Sequence, residues 1–592
     1  MAKAIVHGGR VGSEVRSFSG RPWQDRTPDP DTTLRFAQRH GLPELLAGVI
    51  VARGVAEPDL ARHLAPRLKD WLPDPSSVPG MDALADRLAW AVRRGETVGL
   101  FGDYDVDGQA AVALLARFLA CLAVPVLHGV PHRLRDGYGP NERAFRDLVS
   151  AGARAIVCLD CGSNAPGPIA AIAREADVLV LDHHRGEGPP PGVLAHVNPN
   201  APPRHAALGA LCATGLAFLA AVAINRTLRR SGSSRAVGNE VLLGLVDLVA
   251  LATVADVMPL VGLNRAFVAR GVEAIRRAPR PGLAALAAVA GVGIETIDAE
   301  AIGYALAPRL NAAGRLDDAG LGVALLLTDD AREAHALAQR LDRLNRDRQA
   351  IEAAVVAAAF AEAERQVEAG RSVLVVAGAG WHPGVVGIVA GRVRERFGRP
   401  ALALAVEGER AVGSGRSVPG FDLGASIAAL VRDGIALKGG GHAAAAGVTL
   451  EASRLRCFAD ALDAAWGAKE EVREPVVIEG RCRVEGATPE AVQALARLGP
   501  FGPGNAEPLV EVAGRVAAVA AVGASGAHLR IVLEGESGAR VEAIAFRAGG
   551  SALAQGLAAA RGGVVRAVGA LRPDRFRGGE AVGLRLVDAA FP

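Results

Sequence analysis

The segment that most constrains this chain is Phe101-Gly-Asp-Tyr-Asp-Val-Asp-Gly108, where carboxylates occupy three alternate positions between an apolar strand and an apolar helix. Thr97 to Phe101 reads as a buried parallel strand, and Gln109 to Leu122 has the apolar density of a helix packed on it. Asp103, Asp105 and Asp107 are thereby expected at the carboxyl end of a strand, the edge at which open α/β sheets bind ligands. Alternate aspartates on an extended turn point in different directions, so two ions, or one ion with an outer layer of acids, suit them better than one ion held by all three. A solvated Asp-Gly turn is the alternative.

Two further strand ends decide between these readings. Ala155-Ile-Val-Cys-Leu159 is a short apolar run that ends in Asp160, and Asp177-Val-Leu-Val-Leu181 ends in Asp182-His183-His184. A lone histidine is ordinarily a core or surface residue, but a His-His pair behind an aspartate at a strand end suits ligation.

Together with Thr253-Val-Ala-Asp256, these residues resemble the four metal motifs of the DHH phosphoesterase superfamily. From about residue 30 onward the chain is similar to the RecJ branch of that superfamily, the single-strand-specific 5′ to 3′ DNA exonucleases. The resemblance implies an α/β fold: a DHH phosphoesterase lobe with a parallel sheet, a long connecting helix, a second α/β (DHHA1) lobe and a C-terminal OB-fold β-barrel.

The rest of the sequence accommodates that plan. A chain of 592 residues is too long for one core, and a net charge of +3 permits a nucleic-acid partner without arguing for one. Residues 1–30 read as a flexible lead-in without the apolar core of a signal peptide. A helical region over 31–80 precedes the α/β alternation of 81–328. Ala206 to Ile224 and Val241 to Leu263 approach membrane-spanning length, but their small residues, Asp247 and Asp256 mark them as buried helices of a large core. Cys158 and Cys161 form a Cys-x-x-Cys without a second pair at zinc spacing, and read as incidental thiols in a reducing, cytoplasmic setting.

Residues 329–370 contain neither Pro nor Gly before Gly370 and carry apolar residues at helical intervals, which predicts a rigid connector of about 60 Å. Beyond it, 371–466 holds three glycine-rich turns, Gly380 to Gly387, Gly413 to Ser417 and Gly439 to Gly447, which together are similar to the DHH-associated domain. From 474 to 592, short alternating runs between glycine turns read as a small barrel. Thirteen arginines stand there against twelve acids, with few aromatics, so the barrel's sequence alone argues weakly for single-strand binding.

The resemblance implies a site. Asp105, Asp107, Asp160, His183 and Asp256 would hold two ions, with Asp160 bridging them; Asp182 and Asp103 would support from behind, Asp103 alternatively as a ligand. Oxygen donors with one imidazole select Mn²⁺ or Mg²⁺ over zinc. His184 would face the phosphate. Arg133, within a Pro-Asn-Arg…Gly-Tyr-Gly-like segment that has His132 for Asn, would join Ser414 and Arg416 on the terminal phosphate of the strand, and His442 would contact the scissile one. Arg309 and Arg315 are candidate backbone contacts, or helix caps. Single-stranded DNA is the implied substrate, and a RecQ-type helicase and a single-strand-binding protein the implied partners, with no membrane. A DHH enzyme for short oligonucleotides, a manganese pyrophosphatase and a non-catalytic scaffold are the competing readings; domain content opposes the first, chain length and Phe101 the second, and intact acids the third. Gln109 departs from the small residue or Thr usual after the Asp-Gly.

Overall fold

The computed structural model describes residues 16–131, 139–467, 474–523, 526–574 and 581–592. Five parallel strands form the sheet of the first lobe, in the spatial order Val126–Gly129, Val98–Gly102, Ala155–Leu159, Asp177–Leu181, Val193–Val197. Their sequences are almost continuously apolar because both faces are covered. Phe101, Ile156, Cys158, Val178 and Val180 enter one core with Phe145 and Ile169, while Leu100, Val157, Leu159 and Leu179 enter a larger one on the other side. Cys158 and Cys161 are buried free thiols in the smaller core.

Strand order reverses between Val98–Gly102 and Ala155–Leu159, so the crevice of the sheet opens there. The helix after the first strand runs Val106–Cys121, starting ahead of the expected Gln109. Asp105 is the reason: its carboxylate accepts the N–H groups of Asp107 and Gly108 and caps the helix. Asp107 therefore lies in the first helical turn, which corrects the expectation of an extended turn.

A single helix, Ala331–Glu368, spans 38 residues, about 57 Å. Leu341 is packed in the core of the first lobe, and Val355, Ala359 and Ala363 in that of the second. The second lobe is a five-stranded sheet ordered Lys438–His442, Ala445–Glu451, Arg410–Arg416, Ala401–Glu407, Leu374–Ala379, parallel only at the last pair. The C-terminal strands Val510–Val522, His528–Glu534, Arg540–Ala545, Val582–Ala590 and Val564–Pro573 close into a five-stranded ring, with Gly480–Arg483 added in parallel to the first of them.

The N-terminal region departs from expectation. Residues 1–15 lie outside the described residues, but from Arg16 the anticipated flexible lead-in is fixed to the barrel. Asp588 is fully buried, and its carboxylate accepts from the Ser19 N–H and hydroxyl and the Trp23 indole; a buried carboxylate needs such donors. Trp23–Asp25 pairs in parallel with Val476–Ile478. Leu46, Val49, Ile50 and Leu60 join the barrel core, so the first helices and the last domain are one packed unit. Trp71 and Leu72, by contrast, pack on the core of the first lobe.

Among the described residues no helix is long and apolar enough to cross a membrane. The stretch Val241 to Leu263 divides among the helices Asn239–Leu243, Val246–Ala255 and Gly262–Arg277.

Candidate metal centre

Three consecutive strand ends build the site by one device. The N–H of Asp103 donates to Leu159 O, that of Asp160 to Leu181 O and that of Asp182 to Val197 O, so each acid is held by the neighbouring strand as its own strand runs out. Asp160 has φ +62°, left-handed for a residue with a side chain; such strain persists where the surroundings over-determine it. Gly108 permits the close approach of strand end and helix, since a Cβ there would lie 2.4 Å from the backbone of Asp103.

The side chains converge. His183 Nε2 lies 3.1 Å from Asp160 Oδ1, 3.6 Å from Asp256 Oδ2 and 3.8 Å from Asp107 Oδ2. Asp103, Asp105 and Asp160 offer carboxylate oxygens within 4.8 Å of one another; Asp107, His183 and Asp256, and Asp160, His183 and His184, offer oxygens and ring nitrogens within the same span. Asp160 and His183 each belong to two of these groups, which makes one continuous cluster. Asp107 is fixed from the far side by the amino end of the helix Ala213–Arg230, accepting from Ala213 N–H at 2.6 Å, Thr214 N–H at 2.8 Å and Thr214 Oγ1 at 2.7 Å. Asp256 ends the helix Val246–Ala255.

Asp182 is turned away from the cluster. Its Oδ1 accepts the N–H groups of His183 and His184 and lies 2.8 Å from His184 Nδ1; its Oδ2 accepts Ser163 N–H. Burial opposes this charge, but the hydrogen bond and charge of His184 hold Asp182 well below the usual carboxylate range. In return, Asp182 lifts His184 to about 9 against the effect of burial, leaving an imidazolium at neutral pH.

The acids of the cluster behave oppositely. Burial, followed by the charges of Asp105, Asp107, Asp103 and Asp256, pushes Asp160 well up. Burial and Asp105 raise Asp103, and burial with Asp107 and Asp105 takes Asp256 up to about 9. Asp103 Oδ1, Asp160 Oδ1 and Asp256 Oδ2 are buried without a hydrogen-bond partner. Orphaned oxygens on crowded acids, with one neutral-leaning imidazole whose basicity burial lowers, are the donor set of a hard divalent cation and fit Mn²⁺ or Mg²⁺.

Residues outside the expected ligand set complete the support. Asn198 Nδ2 donates to His184 O and Ser163 Oγ, and Asn200 Nδ2 to His183 O, so the Asn-Pro-Asn after the fifth strand pins the His-His loop. Asn311 accepts the Val106 N–H beside Asp105. The spacing of asparagines behind a strand end was the available signal. Gln109 donates to Tyr104 O within the acid turn, while its Oε1 is buried without a partner.

The proposed phosphate contacts fare unequally. Arg133 lies outside the described residues. Arg309 bonds Asp342 Oδ1 at 2.9 Å and Ala305 O at 2.7 Å, a largely buried tie of the structural kind, the alternative to a backbone contact. Arg315 donates to Gly384 O of the second lobe, joining the lobes just ahead of the helix Val386–Phe397. A Cβ on Gly387, in the first turn of that helix, would lie 3.3 Å from Ser414 Oγ and 3.4 Å from Arg416 Nη2. Arg416 donates to Ser414 Oγ, and burial and Arg394 lower its pKa. His442 ends the exposed edge strand.

The chain matches the DHH family N-terminal domain over residues 97–253, the DHHA1 domain over 370–468 and the RecJ OB domain over 478–588. It is 36% identical to the single-stranded-DNA-specific exonuclease RecJ of Escherichia coli, over 85% of this chain and 89% of that one. With the Bacillus subtilis protein of the same description it shares 35% identity over 89% of this chain, spanning 66% of that longer protein. Among solved structures, RecJ of Thermus thermophilus in complex with Mn²⁺ matches with a TM-score of 0.79 and 28% identity, covering 96% of this chain and 79% of that one. The same protein in complex with Mg²⁺ matches at 0.73 and 27%, covering 96% and 78%. With these three domains in this order and 36% identity over most of both chains, this chain belongs to the RecJ family of DHH phosphoesterases.

Proposed function

We propose that the chain is a metal-dependent exonuclease that hydrolyses single-stranded DNA from the 5′ end, in recombination and repair. The carrying observation is the convergence of Asp103, Asp105, Asp107, Asp160, His183 and Asp256 on one rim with three orphaned oxygens. Asp105, Asp107, Asp160, His183 and Asp256 would hold two ions, Mn²⁺ or Mg²⁺, with Asp103 as ligand or support. When bound, such ions lower the pKa of water and offset charge on the phosphate.

The chain's own groups do the rest. Asp182 engages His184 through Nδ1, which leaves Nε2 for the substrate. The water oxygen bonds to phosphorus and gives up a proton to solvent, the P–O3′ bond breaks, and the His184 imidazolium supplies the proton to the departing O3′. The amino end of Val386–Phe397, Ser414 and Arg416 form a cradle for the terminal 5′ phosphate; Arg133 and His442 are proposed to join it. Arg315 closes the cradle lobe onto the metal lobe. A RecQ-type helicase and a single-strand-binding protein would supply the strand.

The test is incubation of end-labelled single-stranded and duplex DNA with the protein and Mn²⁺, Mg²⁺ or chelator. Release of mononucleotides from the 5′ end of the single strand only, abolished by chelator, is expected. Equal degradation of duplex, or activity in chelator, contradicts the reading.

A further inference from the structure

One aromatic residue beside the metal rim has no structural employment. Tyr304 is 83% exposed, the most exposed of the large hydrophobic side chains among the described residues. Among the described residues no ring stacks on it and no hydrogen bond engages it. A tyrosine left in water on a loop would be unremarkable. Tyr304 instead sits in a π-helical turn, Ile302–Leu306, inserted between two α-helical segments. Such turns cost regular hydrogen bonding and concentrate at functional sites.

That turn is held on both sides. A Cβ on Gly303 would meet Val254 at 3.3 Å, so the turn lies against the helix that ends in Asp256. Just ahead of it, Glu300 pairs with Arg572 and Arg585 of the barrel, which also share Glu507. The ring is thus an exposed side chain on a fixed base.

It faces a cavity between the lobes, of about 450 Å³. Ala255 and Asn311 line the end toward the metal rim, where Asn311 already holds the backbone beside Asp105. Arg315, Arg348 and Arg392 line it with Glu352, which pairs with both Arg348 and Arg392; Arg392 also reaches Glu395, and the balance stays positive through Arg315. An aromatic face beside arginines is how proteins grip unpaired bases and their backbone, and stacked duplex bases cannot present a free face to such a ring.

We propose that Tyr304 is a stacking platform for one unpaired base of the strand close to the scissile phosphate, and so a determinant of single-strand selectivity. This inference rests on the nuclease reading above. It assigns a base contact to a residue that neither the acid motifs nor the phosphate cradle includes.

The test uses full-length protein, Mn²⁺ and 5′-phosphorylated oligo(dT) in which one abasic nucleotide is walked from the 5′ end. In the wild type, one abasic position should raise KM by about tenfold, the size of one lost stack. Tyr304→Ala should raise KM on intact oligo(dT) by about the same factor, more in KM than in kcat, and should be indifferent to the abasic position. Tyr304→Trp and Tyr304→Phe should restore both the KM and the abasic penalty, which a purely structural residue would not do. Unchanged KM in Tyr304→Ala, or an abasic penalty that survives in it, overturns the inference while leaving the nuclease reading intact. A wild-type protein inert toward oligo(dT) overturns the reading and the inference together. Should Tyr304→Ala melt lower than the wild type, Tyr304→Leu, which keeps apolar bulk without a π face, carries the same expectations.

Discussion

The two lobes treat buried charge in opposite ways. In the first, five aspartates crowd two histidines at a strand rim, and three of their oxygens are orphaned. In the second, Arg416 is bound by a hydroxyl and a carbonyl, with no carboxylate in ion-pair reach among the described residues. One half is short of cations and the other of an anion. The barrel shows what ordinary neutralisation looks like in this chain, with Arg53 on Glu479, Arg566 on Glu511, and Arg572 and Arg585 on Glu507. Against those pairs Arg416 stands without a carboxylate, and the proposed function accounts for both halves by partners from outside, metal ions for the acids and a phosphate for Arg416.

Removing the shared acid should break the comparison most severely. Asp160→Asn should lower kcat/KM by about a thousandfold or more, some 4 kcal/mol of transition-state stabilisation, while raising the melting temperature of the metal-free protein because a crowded buried charge is gone. A variant with near-normal turnover would remove Asp160 from the site.

Neutralising the opposite half should hurt less. Arg416→Ala should raise KM for 5′-phosphorylated strands by roughly tenfold to a hundredfold, the value of a charge-assisted hydrogen bond, and have little effect on strands with a 5′ hydroxyl. Equal losses on both substrates would place Arg416 elsewhere.

The pH dependence sharpens the contrast through stability. Asp256 is raised to about 9 in the folded chain, against an ordinary carboxylate value of about 4 when unfolded. A raised folded pKa gives stability that is complete below the unfolded value and is lost as pH climbs through the folded one. The metal-free protein should therefore melt progressively lower between about pH 4 and pH 9. Mn²⁺ should reverse the trend, since it displaces those protons and binds more tightly as pH rises. Calorimetry across that range with chelator and with Mn²⁺ checks it; a metal-free melting point that rises with pH toward 9 would contradict the crowded-acid account.

Arg309 should show the smallest effect on catalysis. Because it bridges Asp342 and Ala305 O, Arg309→Ala should cost about 1–3 kcal/mol of stability, read by denaturant unfolding, and leave the salt dependence of DNA binding unchanged. A reduced salt slope would restore it as a backbone contact.

How much of this was legible in sequence follows from the range of the interactions. The strands ending in Asp160 and Asp182 were readable to the residue, because buried parallel strands are short apolar runs and each is closed by its own acid. The start of the Val106–Cys121 helix was not, because the acids were read as a turn and Asp105 as a ligand alone, whereas it is also the cap. Arg309 and Arg315, six positions apart in one motif, have different employers, Asp342 and Gly384, that no local pattern names. The docking of Ser19 and Trp23 on Asp588 joins residues more than 560 positions apart and left no periodic trace. Tyr304 is silent in sequence for a related reason: a π turn has no sequence signature, and its exposure beside the rim is a property of the fold.

The account rests on the acids of the first lobe holding a pair of cations together, and counting bound metal tests this without reference to DNA. Mn²⁺ titration of the full chain, followed by electron paramagnetic resonance of the free ion, should give two ions per chain for the wild type and at most one, weakly held, for Asp160→Asn. Stoichiometry unaffected by that substitution, or no specific binding to the wild type, would contradict it.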